Sequence, residues 1–340
     1  MAVGVAIIGS GLFAKEQHLP AVKATKDFSL KAIYSRSLKS AQDLANTVPE
    51  ADLYSEDSGP GNSFADLLAR DDIAAVVIGL PILVQPDFIR QALRAGKHVL
   101  SEKPIAKDVA AARELLDWYQ ANIDTQKVFW AVGENYRYLT KLLFAAKKVR
   151  EMGVVRNFRV NVHMMVKEDN KYYLTAWRKT PEYQGGFLLD GGVHMVAGLR
   201  LILGGNEKIA TVSAHSQQQQ KHLPPVDTVD AVVKTNSGAT GVVSLSWGSP
   251  FDDNIFEFAC EKGVVKMHFD GVTVNDQDHV IEFDGKGVTP EIAEFAAAVS
   301  NMRPVAKRQS PEEALADLEV LEQMLQSGEQ DGEKLKLQWQ

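Results

Sequence analysis

"VGVAIIGSGLFA", residues 3–14, decides the fold of this chain. A short run rich in apolar residues closes on Gly9, and the residues after it open a helix. Gly9, Gly11 and Ala14 stand at the spacing of a dinucleotide-binding turn. The first glycine permits a tight turn, and the second lets backbone approach a pyrophosphate. The third small residue lets the helix pack close on the strand. Backbone N–H groups at the helix start, those of Leu12 and Phe13, then face the phosphates.

The pattern continues outward. "FSLKAIYS" reads as a second strand and "LKSAQDLANTV" as a helix. "SFADLLAR" is a helix, "AAVVIGL" a strand and "PDFIRQALRAG" a helix stopped by Gly96. "KHVLSEKP", "VAAARELLDWYQAN" and "KVFWAVG" add strand, helix and strand, while "PAVKAT" begins a helix ahead of the second strand. Strands alternating with helices predict βαβ units in a doubly wound parallel sheet, and near-continuous apolar strands predict a sheet covered on both faces. Residues 1–133 are therefore expected to form a Rossmann domain.

The second strand ends in "IYSRS". An NAD-selective site wants Asp or Glu here for the ribose 2′-hydroxyl. Ser35, Arg36 and Ser37, with Lys39 behind them, instead suit a 2′-phosphate. NADP is the expected cofactor, with NAD as the alternative if this edge is only a solvated loop. Another strand ends in Glu102-Lys103-Pro104, at the edge where such sheets bind ligands. A lysine there can hold a substrate hydroxyl and stabilise a developing alkoxide, though an exposed structural lysine fits the tripeptide equally well.

After residue 133 longer runs alternate with period two: "RNFRVNVHMMV", "IATVSAHS", "DTVDAVVKT", "ATGVVSLSW", "NIFEFAC", "GVVKMHF", "GVTVN" and "HVIEF". They predict an α+β domain over 134–340, with a large open, mostly antiparallel sheet flanked by helices. "YLTKLLFAAKKVREMG" leads it, and "PEIAEFAAAVSN" and "SPEEALADLEVLEQMLQSG" close the chain, the last capped by Ser310 with Glu313 three residues on. "SQQQQKHLPP" is expected to be an exposed connection.

One stretch of this half breaks its own pattern. In "GGFLLDGGVHMV" (185–196) Asp190 and His194 lie four apart in an apolar helical period, with Gly191 and Gly192 between them. The spacing places both side chains on one helical face. His194 can take a proton near neutral pH, and Asp190 can orient the imidazole or bind a substrate hydroxyl. An Asp–His pair satisfied inside a core would look the same. Each glycine weakens a helix by about 1 kcal/mol relative to alanine, which suits a close approach by another backbone or a planar ring.

Together these segments resemble the glucose–fructose oxidoreductase / inositol dehydrogenase / rhizopine-catabolism family over nearly the whole chain. "GSGLFA", "ALRAGKHVLSEKPIAKD" and "WRKTPEYQGGFLLDGGVHMVAGL" carry the resemblance in order and spacing. It implies Lys103, Asp190 and His194 as a catalytic trio that also touches substrate, with Glu102, Lys103 and Pro104 near the nicotinamide. It implies that Trp177 and Arg178 lie near cofactor or substrate, and that Tyr136 and Arg137 of "ENYR" continue the pocket wall, with Tyr173 a further substrate-side candidate. It also implies homodimers or higher homo-oligomers packed through the open sheet. The chain departs from the family where many relatives have Thr-Pro and a later His: here stand Leu80, Pro81 and Gln85. Cofactor contacts from this loop are expected but less secured by the resemblance.

Composition bounds the rest. The 340 residues are 45% apolar and 24% charged, with a formal net charge of −7. That balance argues against nucleic acid or an anionic membrane surface as partner. No apolar stretch is expected to reach the about 18 residues of a membrane span, and no metal-ligand set is read. One cysteine, Cys260, allows no internal disulfide and fits a reducing, cytoplasmic compartment. The expected function is hydride transfer between NADP(H) or NAD(H) and a secondary alcohol or hemiacetal of a sugar or polyol. Two rivals stand: a cofactor-binding sensor that has lost catalysis, which the full trio argues against, and a dehydrogenase of a non-sugar substrate such as a dihydrodiol.

Overall fold

The computed structural model describes residues 2–340. Its elements begin with β1 (Val3–Ile8), α1 (Leu19–Ala24), β2 (Phe28–Ser35), α2 (Leu38–Ala45), β3 (Asp52–Ser55) and α3 (Phe64–Leu68). β4 (Ala75–Ile78), α4 (Gln85–Arg94), β5 (His98–Glu102), α5 (Val109–Asn122) and β6 (Trp130–Gly133) follow. Then come α6 (Thr140–Glu151), β7 (Val155–Met165), α7 (Ala176–Lys179), α8 (Gly186–Leu203), β8 (Ile209–Gln217), β9 (Thr228–Thr235) and β10 (Thr240–Ser246). β11 (Gly248–Cys260), β12 (Gly263–Met267), β13 (Gly271–Val274), β14 (Gln277–Val280), α9 (Val288–Ser300), α10 (Pro311–Glu329) and β15 (Leu335–Lys336) complete the chain.

Two compact units result. The first holds residues up to Ala106, Ala110–Glu134 and Val288–Ala314; the second holds Lys107–Val109, Asn135–Gly287 and Leu315–Gln340. A single boundary after residue 133 therefore does not describe the chain, because α9 returns to the first unit. The reason is its apolar face: Ile292, Phe295, Ala296 and Val299 share one core with Val5, Ile7 and Phe28. The Phe28 and Phe295 rings meet edge-on at 6.0 Å.

In the first unit the strands are all parallel, in the order β3-β2-β1-β4-β5-β6. The order reverses between β1 and β4, and ligands of doubly wound sheets bind beyond the carboxyl ends of such a pair. Both strands are buried throughout most of their length, as expected for a sheet covered on both faces. Helical backbone starts at Leu12, earlier than "PAVKAT" suggests, and passes through a π-helical turn at Ala14–His18. Pro20 explains the widened turn: its ring would collide with the carbonyl four residues back, so the local ladder is relaxed.

The second unit carries a nine-stranded sheet among the described residues, ordered β14-β13-β12-β11-β7-β10-β9-β8-β15. Only the β7–β10 pairing is parallel. Alternation sets its two faces. Val229, Ala231 and Val233 of β9 are buried, while Asp230, Val232 and Lys234 are exposed. On the open side Arg159 pairs with Glu257, and His163 bridges Asp253 at 3.2 Å and Ser244 at 2.7 Å.

α8 corrects one expectation. It is 18 residues long with a mean hydropathy of 1.4, enough by length and composition to cross a membrane. In the fold 78% of it is buried, so its apolarity is that of a core helix. The buried Asp317 of α10 anchors it, accepting from Arg137 at 2.5 Å and from Arg200 at 2.6 Å. Two guanidinium partners balance the cost of burying that carboxylate.

Candidate active site

The crevice at the ends of β1 and β4 is built by glycine geometry. Gly9 has φ +104°, and a Cβ there would lie 2.3 Å from the Gly79 carbonyl oxygen. Only glycine permits that backbone and that approach. Gly11 differs. A Cβ there would meet no atom within 4 Å, and the residue is exposed. Nothing inside the chain demands a glycine at 11, so the space it leaves open faces outward, beside the helix start. This is the cradle a pyrophosphate needs, and the residues fit a dinucleotide. Leu12 is exposed beside it, Phe13 is half-buried, and Leu80 and Pro81 border the crevice from the β4 side, both half-buried.

At the end of β2 the expected donors separate. The Ser35 hydroxyl is buried and bonded to Ser10 Oγ at 2.6 Å, which ties β2 to the glycine turn. The Ser37 hydroxyl caps α2, accepting from Ser40 N at 3.3 Å and donating to Ser40 Oγ at 2.9 Å. Both serine hydroxyls thus have partners inside the chain. Arg36 is exposed at the same edge, with Lys39 exposed on the first turn of α2.

At the end of β5 lies the turn that carries Lys103, half-buried, with a cis bond to Pro104. Glu102 Oε1 accepts from His18 Nε2 at 2.7 Å, which ties its carboxylate to the helix that follows the glycine turn. Gln85, expected among the cofactor contacts, is buried, and its Nε2 donates to the Glu102 carbonyl at 2.7 Å and the Pro104 carbonyl at 3.4 Å.

In the second unit α8 assembles the remaining candidates. Gly185, with φ +67°, and Gly186, with φ +50°, turn the chain into the helix. Asp190 is buried and its Oδ2 accepts from Arg178 Nε at 2.7 Å. The Arg178 guanidinium lies 3.9 Å from the Trp177 ring centre, a cation–π contact, and 5.7 Å from that of Tyr172. Arg178, expected toward cofactor or substrate, thus holds the Asp190 carboxylate. Tyr183 is buried beside this pair. Burial pushes its phenol well above the usual tyrosine range, the Asp190 charge adds to that, and Arg178 offsets part of it. His194 is half-buried and its ring stacks on Tyr136, with centres 4.4 Å apart and planes at 13°. Arg137, expected on the pocket wall, is buried and paired with Asp317, so its role is in the fold. Tyr173 is buried, edge-on to His222 at 5.3 Å, and His222 bonds the Val166 carbonyl at 2.7 Å. The glutamine-rich connection is exposed at Gln217, Gln218 and Gln219, as expected, and it is tethered: buried Asp227 accepts from the backbone N–H groups of Gln219 and Gln220.

The two helical glycines serve this unit rather than a nicotinamide ring. A Cβ on Gly191 would sit 2.6 Å from Trp247 Cζ2, and one on Gly192 2.8 Å from Leu321 Cδ2. Trp247 is 3% exposed and its rigid indole has no room to yield. Gly191→Ala should therefore destabilise the protein by about 1–3 kcal/mol, the usual cost of overpacking a filled core. Gly192→Ala should lose less, since the end of a leucine can rotate and alanine favours the helix. Urea unfolding of both variants checks this, and equal stability of Gly191→Ala and the parent would refute the packing role.

Comparison with known proteins fits this arrangement. The model of the oxidoreductase family with an NAD-binding Rossmann fold matches residues 3–128, and the model of that family's C-terminal domain matches residues 146–266. A dehydrogenase of Fusarium mangiferae, FPY6, is 42% identical, with 97% of each chain covered. The chain belongs to this oxidoreductase family. It is the glucose–fructose oxidoreductase / inositol dehydrogenase / rhizopine-catabolism group that the motifs resemble, and the cofactor domain is an NAD-binding Rossmann fold. A solved oxidoreductase of Thermotoga maritima superposes with a TM-score of 0.88 at 29% identity, covering 99% of this chain and 98% of its own. A dTDP-3,4-didehydro-2,6-dideoxy-alpha-D-glucose 3-reductase of Actinomadura kijaniata is 26% identical over 87% of this chain and 85% of its own.

Motif reading overlooks two members of the site region. Ser10 supports Ser35, and His18 supports Glu102. His18 carried a signal: it lies four residues after Ala14, on the same buried helical face.

Proposed function

We propose that this oxidoreductase transfers hydride between NADP(H) and a secondary alcohol or hemiacetal of a sugar or polyol. The observation that carries the reading is α8, where His194 is braced flat on Tyr136 and the Asp190 side chain is held against Arg178 at 2.7 Å. An imidazole fixed in this way is equipped to take a proton, and a carboxylate fixed in this way to order hydroxyl groups. The bound nicotinamide supplies the hydride chemistry. In the oxidative direction His194 takes the hydroxyl proton, and the Lys103 ammonium stabilises negative charge on the substrate oxygen. Asp190 orients the substrate hydroxyls. The relative from Actinomadura kijaniata, named for a keto-sugar reduction, supports a carbohydrate substrate. A panel of aldoses and polyols offered with NADP and with NAD tests this: turnover with members of the panel supports the reading, and none at all would point to a cofactor-binding sensor.

Preference for NADP rests on Arg36, exposed at the end of β2 where an NAD-selective chain would carry an acid. Arg36→Ala should weaken NADPH binding by roughly 1.5–3 kcal/mol, the worth of a charge-assisted hydrogen bond, and NADH binding far less. Fluorescence titration with both cofactors measures it, and equal losses would remove Arg36 from the 2′-phosphate site.

A further inference from the structure

We infer that Gln85 and His18 are positioning residues that clamp the Glu102-Lys103-Pro104 turn and so set where Lys103 stands. The inference rests on the reading that Lys103 acts on the substrate oxygen. Two arms reach the turn from different elements. His18, on the helix that follows the glycine turn, meets the Glu102 carboxylate at 2.7 Å. Gln85, the first residue of α4, donates one amide nitrogen to the carbonyls on either side of Lys103, at 2.7 and 3.4 Å. Both residues are almost wholly buried, at 2% and 1% exposure. With the carbonyls of residues 102 and 104 tied down, the backbone of Lys103 has little freedom left, and its stem starts from a fixed point.

The chemistry of position 85 argues that this is more than packing. The Gln85 Oε1 and the His18 Nδ1 are buried without a hydrogen-bond partner among the described residues. An unsatisfied buried polar atom costs about 1–3 kcal/mol. A leucine at 85 would avoid that penalty but would leave the Glu102 and Pro104 carbonyls without this donor, so what the glutamine amide does here is hold the turn. Both arms also start beside the crevice at the ends of β1 and β4. Phe13, in the glycine turn, packs edge-on against His18 at 5.1 Å, and Gln85 N bonds the Pro81 carbonyl at 3.2 Å beside the β4 end. The loops that cradle the dinucleotide are thus the same loops that grip the turn carrying Lys103.

The test uses the full-length protein and acetic anhydride. Trace acetylation followed by mass spectrometry gives the reactivity of Lys103 relative to exposed Lys147, with no turnover required. Gln85→Leu should change that ratio several-fold, and Gln85→His, which restores a donor, should bring it back toward the parent value. His18→Asn, which breaks the other arm, gives an independent reading if the leucine variant does not fold. In turnover Gln85→Leu should lower kcat by about 10–100-fold, the cost of a slightly misplaced catalytic group, with KM for NADP nearly unchanged. An unchanged acetylation ratio in both arms would overturn the clamp. A rise in KM for NADP matching the fall in kcat would also overturn it, making Gln85 a cofactor contact. Failure of the underlying reading looks different: Lys103→Met would retain turnover while the acetylation results stood.

Discussion

Lys103→Met should abolish turnover while leaving cofactor affinity nearly intact. The substitution keeps the length and apolar stem of the side chain and removes its charge and its donors. Lys103 directly follows β5 and is half-buried on a turn fixed by Gln85 and His18. Its backbone placement should therefore survive the change, and only the ammonium is lost. Removing a single preorganised donor from a developing oxyanion costs about 10²–10³ in kcat. In the proposed reading cofactor affinity is carried elsewhere, by the open cradle at Gly11, the crevice between β1 and β4 and the edge at Arg36. Fluorescence titration and steady-state kinetics on the same preparation separate the two quantities. Affinity collapsing together with rate would show that Lys103 serves the cofactor and not the reacting oxygen.

His194→Asn should lower kcat by about 10²–10⁴-fold, the usual worth of a positioned acid–base group. The loss should shrink for oxidation at high pH, where hydroxide can take the proton. Stacking on Tyr136 holds the imidazole plane, and the half-buried ring keeps contact with solvent. Asparagine cannot exchange a proton in this range, but it preserves most of the bulk. Asp190→Asn should do less damage, because an amide oxygen can still accept from Arg178 Nε in place of the carboxylate that now does. Kinetics across pH with the best substrate of the panel give the answer. Near-normal turnover of His194→Asn at every pH would make the imidazole structural and pass proton transfer to Lys103 or to Tyr136, Tyr173 or Tyr183.

Much of the first unit is legible in the sequence because its signals are local. β2 and α5 occupy the residues that periodicity assigns, Phe28–Ser35 and Val109–Asn122. Buried parallel strands read as apolar runs, and α4 ends just before Gly96, the stop that the sequence marks. β3 escapes such reading: its four residues form an edge strand, mostly half-exposed or exposed, with no run to detect. β11 extends from Gly248, well before the apolar "NIFEFAC", since its first half pairs irregularly across a register shift. The membership of α9 is illegible for another reason. An apolar face announces burial but does not name the surface that buries it.

The candidate site divides in the same way. The identities of Lys103, Asp190 and His194 are visible as spaced residue types, but their partners are not. Arg178 is twelve residues from Asp190, too far for helical spacing to join them, and Gln85 acts on backbone carbonyls that no side-chain motif reports. The glycines of α8 show the limit most clearly. Sequence identifies that something must come close to Gly191, and only the fold shows that it is Trp247.

Hydride transfer from a carbohydrate carbon is the central claim, and isotope transfer tests it most directly. The protein is incubated with oxidised NADP and a mixture of aldoses and polyols deuterated at every carbon-bound position, and the reduced cofactor is weighed by mass spectrometry. NADPH carrying one added deuterium, formed by the parent protein and not by Lys103→Met, is the predicted result. NADPH without deuterium, or no reduced cofactor from any member of the mixture, would contradict it.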